Sequence, residues 1–181
     1  MFRYTKGAVG YAIGGGANSW FLVDGRTLGF AFTRDGFFGN PGVVGGSGNI
    51  QLTEAWSVNA HYEHAWTPAL KTSVYGGWAE ITHNATAKRL ICGGACVRPA
   101  RGVIGTFGDP DFSFWQIGSR TQWAPWKGQL NIGVDVVYTA LDAAAAGHRR
   151  LGAGARAGQV LTIGDTDIVT VMFRVQRNWY P

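Results

Sequence analysis

The sequence lacks the long apolar segments that helical membrane proteins need. Hydrophobic residues make up 46% of its 181 residues, yet no run approaches the about 20 consecutive apolar residues of a transmembrane helix. Charge is also scarce, since Lys, Arg, Asp and Glu together make up only 15% of the chain. The basic residues form no long cluster, so the net charge of +5 does not indicate a nucleic-acid-binding surface. We therefore expect no nucleic acid among its partners.

Cysteine is nearly absent as well. The only two, Cys92 and Cys96, lie in the glycine-rich stretch ICGGACVRPARG. A single C-x3-C pair without a second one is a weak zinc signal. We predict a small disulfide between them, which requires an oxidising compartment; free thiols and a metal site are the alternatives left open. No cofactor is expected.

Glycine and aromatic residues, by contrast, are abundant. The chain contains 28 glycines and eight tryptophans, and aromatic residues reach 13%. A disordered chain would be poorer in aromatics. Membrane β-barrels combine abundant glycine with aromatics at the two membrane interfaces and show no hydropathy peak. The composition is therefore typical of a membrane barrel of one domain, residues 1–181.

The stretch FWQIGSRTQW, residues 114–123, carries this pattern in a single strand. Trp115 and Trp123 lie eight residues apart on one face, with small or apolar residues between them, whereas Gln116, Arg120 and Gln122 share the other face. Eight residues span ~26 Å along a strand, or ~20 Å of height at a tilt of ~40°. An outer-membrane barrel has an apolar band of about this height between two aromatic girdles. A half-buried strand of a soluble sheet is the alternative.

The spacing of turns supports the same interpretation. Alternation recurs in residues 56–66, 130–141 and 165–179, and the connections TPA and APWKG are short. The connections over about 84–110 and 142–164 are long and glycine-rich. Alternating short and long connections are typical of bacterial outer-membrane barrels.

The N-terminal third and the strand over residues 70–83 are harder to interpret. GAVGYAIGGG and RTLGFAFTRDGFF are predicted as strands around a turn at residues 23–26, and Gly76-Gly77 as a possible bulge. We expect six to eight strands in total.

No arrangement of residues indicates an enzyme. His61 and Glu63 share a strand face while His64 points to the other, which spoils a three-ligand metal site. The carboxylates at positions 109, 111, 165 and 167 flank strands, where solvated charges at the barrel rim are expected ahead of a Ca²⁺ site. No Ser-His-Asp spacing is present, and no catalytic residue is predicted.

Several segments together resemble one family. WSVNAHYEHAWTPALKTSVYGGWAEITHNATA, DFSFWQIGSRTQWAP, LNIGVDVVYTALD and FRVQRN followed by an aromatic are similar to the C-terminal part of the alphaproteobacterial (rhizobial-type) outer-membrane porins, over residues 47–180. The resemblance implies an all-β fold, an antiparallel transmembrane β-barrel, of which this chain is an incomplete part of about six to eight strands from a probable 16-stranded porin. It implies a homotrimer that lets small hydrophilic solutes and ions diffuse passively.

Partners and location follow from the same resemblance. It implies outer-membrane lipid and lipopolysaccharide as surroundings and recognition of the C-terminal strand, residues 169–179, by the barrel-assembly machinery. It places the chain in the cell outer membrane if it is exported. The opening MFRYTKGAVGYAIGGG lacks the apolar core and cleavage site of a signal peptide, which conflicts with export.

The barrel interpretation assigns a role to each strand face. The predicted pore-lining residues are Asn59, His61, Glu63, Gln116, Arg120, Gln122, Asn131, Asp135, Arg174 and Gln176. The predicted aromatic girdle consists of Trp115, Trp123, Tyr138 and Trp179, and the lipid face includes Ile117, Ile132, Val134, Val136, Val171, Phe173 and Val175. Two alternatives stay open: a soluble or secreted β-sandwich that binds carbohydrate through exposed aromatics, and a small non-conducting eight-stranded membrane barrel.

Overall fold

A computed structural model describes residues 1–14, 19–25, 27–39, 42, 48–91, 103–104, 108–126, 129–144, 147–150 and 160–179. The strands are β1 (Phe2–Lys6), β2 (Ser19–Asp24), β3 (Thr27–Phe32), β4 (Gly36–Phe38), β5 (Ile50–Leu52), β6 (Glu54–Thr67), β7 (Leu70–Thr82), β8 (Val103–Ile104), β9 (Phe112–Trp126), β10 (Leu130–Asp142), β11 (Gly147–Arg150), β12 (Val160–Ile163) and β13 (Thr166–Arg177). The helices are α1 (Val9–Ile13) and α2 (Ala85–Ile91). Within the described residues, neither helix has the length and apolar character needed to cross a membrane.

Six strands form the main sheet, in the order β1-β6-β7-β9-β10-β13. Every neighbouring pair is antiparallel, which confirms the predicted all-β antiparallel fold. The short connections β6–β7 and β9–β10 lie at one end, the turn end, and the long connections lie at the other, the loop end. Over the described residues β1 and β13 are open edges, because they pair with β6 and β10 and not with each other.

The strand register aligns the polar and apolar residues of neighbouring strands, so each face of the main sheet keeps one character across its strands. Directly opposed residues of neighbouring strands share a face. One row runs Glu63, Ser73, Arg120, Asp135 and Met172. The face that carries this row is called the polar face.

The opposite face is apolar. Its neighbouring row runs Tyr62, Val74, Ser119, Val136 and Val171. The face that carries this row is called the apolar face. A one-residue slip of any strand would exchange the two faces, so the register is strongly specified.

Two irregularities in the ladder lie at the turn end. The register shifts between Ala65 and Thr67 and again between Leu130 and Ile132. The second shift spans Pro125, which has no N–H to donate, so the ladder skips this residue and β9 ends one residue later than the proline predicts. The bulge suggested at Gly76-Gly77 is wrong, since both residues keep the regular register with β9.

A second sheet covers the loop end of the polar face. Its order is β2-β3-β12-β11-β8, and β3 approaches the main sheet so closely that a Cβ on Gly29 would lie 2.9 Å from Leu141 Cδ2. Ile81 and Leu141 are almost completely buried there, and each contributes about 1.5–3 kcal/mol through burial. The core cluster consists of Val9, Ala12, Leu22, Ala31, Ala55, Ile81, Phe112, Leu141, Ala143 and Ala144.

The N-terminal third differs from the prediction. GAVGYAIGGG contains the helix α1 instead of a strand, because Gly7 takes φ +76° after β1 and the Val9 N–H donates to Asp35 Oδ1 at 2.7 Å. Gly14, at φ +75°, ends the helix in the left-handed conformation. The predicted turn at residues 23–26 is confirmed as the β2–β3 connection, with Gly25 at φ +54°.

The strand count and the long connections also differ. The structure contains 13 strands among the described residues, more than the six to eight predicted, although the main sheet holds six. The stretch RTLGFAFTRDGFF is divided into β3 and β4. The long connections contain α2, β8, β11 and β12. β8 pairs with β11 and β12 pairs with β3, both far away in sequence, so the local pattern does not reveal these strands.

Candidate functional site

The ten residues predicted to line a pore all lie on the polar face of the main sheet. The register places them there on β6, β9, β10 and β13. Asp135 is buried, and the others are half-buried or exposed. The structure brings five of them, Glu63, Arg120, Asp135, Arg174 and Gln176, into three hydrogen-bonded groups.

The first group surrounds Asp135 near the middle of the sheet. The Tyr75 hydroxyl donates to Asp135 Oδ1, and Arg120 Nε donates to Asp135 Oδ2 at 2.8 Å. The Tyr75 ring lies against Gly118, where a Cβ would be 2.6 Å from the ring. The buried carboxylate is therefore held by two donors on neighbouring strands, while Arg120 keeps nearly half of its side chain exposed.

The second group lies nearer the turn end. Lys71 Nζ and Ser73 Oγ donate to the Glu63 carboxylate at 3.2 and 2.9 Å. Both partners of this ion pair are exposed, so solvent screens it and its contribution to stability is small.

The third group lies near the open edge. Arg174 donates to Gln176 Oε1, and Gln176 Nε2 donates to Asn178 Oδ1 at 3.1 Å. Further toward the loop end, Gln116 Nε2 donates to Thr139 Oγ1 at 2.9 Å. The polar face thus carries fixed charges of both signs joined by amide and hydroxyl groups.

The sequence did not identify the β7 members of these groups. The sequence does not assign Tyr75, Lys71 and Ser73 to a face, because the Gly76-Gly77 pair allows a shift in phase. If the alternation of strand faces is continued through Gly76 and Gly77 without a bulge, these three residues fall on the polar face.

The apolar face exposes large hydrophobic side chains along its length. Val171 and Phe173 are 66% and 67% exposed, and no described element covers them. Single exposed apolar residues are ordinary, but a continuous surface of this kind marks an interface with protein or membrane. The exposed set on β9, β10 and β13 includes Trp115, Ile117, Trp123, Val134, Val136, Val169, Val171, Phe173 and Val175.

Aromatic rings lie at both ends of the apolar face. Of the predicted girdle, Trp115 and Tyr138 pack together toward the loop end with ring centroids 5.0 Å apart. Trp123 and Trp179 lie toward the turn end, both exposed. The structure adds Phe2, Trp56 and Trp78 at the loop end and Trp66 and Trp126 at the turn end.

The remaining candidate residues form no metal centre among the described residues. His64 lies on the apolar face, with its ring centroid 4.4 Å from that of Trp66. Asp109 and Asp111 pair with Lys88 of α2 at 2.8 and 2.6 Å, and Asp165 Oδ1 accepts the Ala143 N–H at 3.1 Å. Cys92, Cys96 and the disulfide predicted between them lie outside the described residues.

Asp111 anchors the connection between β7 and β9 at the loop end. It accepts the His83 N–H at 2.8 Å and faces His83 Nδ1 at 3.0 Å. Burial alone would raise the pKa of Asp111, but the hydrogen bonds from His83 and Lys88 outweigh it and hold the pKa below its usual value. The stabilisation is therefore present above the unfolded pKa of ~3.9 and is lost as the pH falls through the folded value.

Replacing this carboxylate tests the anchor. Asp111→Asn removes hydrogen bonds to a charged group, which contribute about 1.5–3 kcal/mol, so we expect protection of the α2 amides against hydrogen exchange to fall about 10- to 100-fold. Asp109→Asn, at a more exposed partner of Lys88, should have a smaller effect. Equal protection in the parent and Asp111→Asn at pH 7 would contradict the anchor.

Comparison with known proteins gives one match. A family profile described as Porin subfamily matches residues 2–172. No curated protein matches the chain, and no solved structure matches it.

Proposed function

The chain belongs to the Porin subfamily, and we propose that its main sheet forms part of the wall of a water-filled outer-membrane channel. The channel lets small hydrophilic solutes and ions diffuse passively. The observation that carries the proposal is the opposition of the two faces. Val136 and Phe173 lie on the apolar face, and Arg120, Asp135 and Glu63 lie on the polar face. A sheet of this kind is stable where one face contacts acyl chains and the other contacts water.

Transport in this proposal needs no conformational change. The polar face holds its charges in fixed positions through the contacts of Asp135 and Glu63, so a hydrated solute meets a preformed surface. Fixed positive and negative side chains orient a dipolar solute and disfavour apolar ones. The proposal assigns no catalytic residue.

The open edges indicate what completes the channel. An unpaired backbone group of β13 facing lipid would cost several kcal/mol, so we propose that β1 and β13 pair with further strands of a closed barrel. A 16-stranded barrel of the alphaproteobacterial type, surrounded by outer-membrane lipid and lipopolysaccharide, fits this requirement. β13 is then the strand that the barrel-assembly machinery recognises.

The alternatives receive less support from the sheet. In a soluble β-sandwich the apolar face would be covered by a second layer, whereas the second sheet here packs against the loop end of the polar face. An eight-stranded barrel fills its interior with packed side chains, whereas the polar face here carries the ion pairs Glu63–Lys71 and Arg120–Asp135.

Conductance in a planar lipid bilayer tests the function. The refolded chain should partition into detergent or lipid, and the closed barrel that contains this sheet should produce stepwise currents in KCl. A protein that stays monomeric in buffer without detergent and binds carbohydrate would overturn the proposal in favour of the β-sandwich. A closed barrel that inserts but never conducts would favour the small non-conducting barrel.

We also propose that the homotrimer forms through one sector of the apolar face. Between their aromatic rings, β6, β7 and β9 include five small or hydroxyl residues on this face, whereas β10 and β13 present mainly branched aliphatic residues and phenylalanine at the same depth. Ser119 and Thr121 lie between Trp115 and Trp123 of β9, and Thr121 Oγ1 lies 3.1 Å from Thr72 Oγ1. Small and polar residues at membrane depth are favoured where another protein surface replaces lipid. The sector consists of Ala60, Thr72, Gly76, Ser119 and Thr121.

Cysteine crosslinking locates the contact. In a background of Cys92→Ser and Cys96→Ser, Ser119→Cys should give crosslinked oligomers in the membrane, because this position lies in the proposed sector. Val171→Cys, on the valine-rich side of the same face, is the matched control and should stay uncrosslinked. Crosslinking at Val171 in preference to Ser119 would place the contact elsewhere.

A further inference from the structure

A cavity lies between α1 and the polar face, in its loop-end half. Its volume is about 270 Å³. Ser57 Oγ donates to the Ala12 carbonyl at 2.7 Å and so fixes α1 over the sheet. The floor includes Gly77, where a Cβ would lie 2.9 Å from Val58 O and 3.0 Å from Asn59 Cβ. The absence of a side chain at Gly77 keeps this floor open.

The lining is divided into a polar and an apolar part. Residues of the polar face supply hydrogen-bonding groups, and α1 with the loop-end part of β7 and β9 supplies carbon atoms. The polar part consists of Arg3, Ser57, Asn59, His61 and Gln116. The apolar part includes Ala12, Ile13, Ala79 and Phe114.

Arg3 makes the cavity electropositive. It is the only Lys, Arg, Asp or Glu among the described lining residues, and it forms no ion pair with a described residue. Lys6, Lys71 and Arg120 all have carboxylate partners. The register places Arg3 opposite Ser57, next to Asn59 on β6. A guanidinium and an amide are therefore available to an anion from the channel side.

We propose that this cavity binds small organic monocarboxylates during their passage. The carboxylate binds the Arg3 guanidinium and the Asn59 amide, and the carbon chain lies against Ile13 and Phe114. Arginine suits this role because its planar fork pairs with a carboxylate through two parallel hydrogen bonds. The inference rests on the proposed function, because passage of solutes along the polar face is what delivers the ligand.

The division of the cavity predicts a dependence on chain length. Each methylene moved from water to an apolar surface tightens binding about fourfold, so affinity should rise from acetate through propionate to butyrate. Binding is expected on the order of millimolar, as suits a site that must release its solute. Butyramide, which has the same shape without the charge, should bind far more weakly than butyrate.

Titration of the full chain in detergent with sodium butyrate, followed by NMR, tests the site without requiring a current. Arg3→Gln should weaken butyrate binding at least about tenfold, because the charged partner is lost. Arg3→Lys should retain part of the affinity, since it keeps the charge and loses the fork. Arg34→Gln removes one positive charge at an exposed position outside the cavity lining and should change the affinity less than about twofold.

Several outcomes would overturn the site. Butyramide binding as tightly as butyrate would exclude a role for Arg3, and equal losses in Arg3→Gln and Arg34→Gln would show a general charge effect. If inorganic phosphate bound as tightly as butyrate, the apolar part of the lining would make no contribution to binding. Conductance without butyrate binding would refute this site alone, whereas butyrate binding by a closed barrel that does not conduct would refute the proposed channel.

Discussion

Val134→Arg is expected to prevent stable insertion of the main sheet into a membrane. Val134 lies on the apolar face of β10, 43% exposed, between Thr121 of β9 and Phe173 of β13. An arginine at the midplane of a barrel's lipid face costs about 2–4 kcal/mol. The equilibrium constant for folding into lipid vesicles should therefore fall about 30- to 1000-fold. Tryptophan fluorescence and protease protection measure the folded fraction from which this constant is obtained.

The same strand offers a matched control for this substitution. Val137 lies three residues further along β10 on the polar face, opposite Gly118 and Thr170. Val137→Arg places the same charge next to water in the proposed channel, so insertion should remain close to that of the parent. Equal insertion of the two variants, whether high or low, would contradict the assignment of the two faces.

Arg120→Glu is expected to destabilise the folded sheet and to change ion selectivity at the same time. Asp135 is buried, and Arg120 and Tyr75 are its donors. Replacing Arg120 by a carboxylate leaves Asp135 without its charged partner and adds a like charge beside it. Because Arg120 itself is nearly half exposed, we expect a loss of about 2–3 kcal/mol in the free energy of unfolding, less than for a fully buried pair.

Two further variants separate stability from selectivity. Arg174→Glu makes the same change in charge on the polar face, but the hydrogen-bond partner of Arg174 is the neutral Gln176 and it has no ion pair with a described residue, so its unfolding free energy should change by no more than about 0.5 kcal/mol. Both substitutions should shift the zero-current potential in a KCl gradient toward cation selectivity. The double variant Arg120→Glu/Asp135→Arg should recover part of the lost stability. A parent-like urea midpoint for Arg120→Glu, or no shift in potential for either variant, would contradict the arrangement.

The sequence predicted the two-faced strands because alternation is a local property. On β10, and on β9 as far as Trp123, each residue falls on the face that its parity dictates, and the register preserves this from strand to strand. β7 was ambiguous only because two adjacent glycines allow a bulge, and no single-strand pattern shows that the ladder continues through them. The partnership of Tyr75 with Asp135 spans 60 residues of sequence, so spacing along the chain does not reveal it.

The helix α1 shows why the N-terminal third was predicted wrongly. Val9, Tyr11 and Ile13 alternate with small residues, as in a strand, but the structure buries Val9 and Ala12, which are three residues apart. The choice depends on distant partners: the Asp35 carboxylate that accepts the Val9 N–H and the Ser57 hydroxyl that binds the Ala12 carbonyl. The five residues of α1 carry too weak a preference of their own to decide between helix and strand.

The fit of the Tyr75 ring over Gly118 has a consequence for how the sheet is assembled. Sliding β7 by two residues along β9 would keep every side chain on its proper side, so hydrophobicity alone does not penalise that error. It would, however, bring the Tyr75 ring against Gln116 or Arg120, whose side chains occupy the space that glycine leaves free. The packing of the Tyr75 ring over Gly118 therefore disfavours misaligned pairing of β7 and β9 while the sheet forms. Gly118→Ala fills the space under the ring and should increase the population of misaligned pairings during folding.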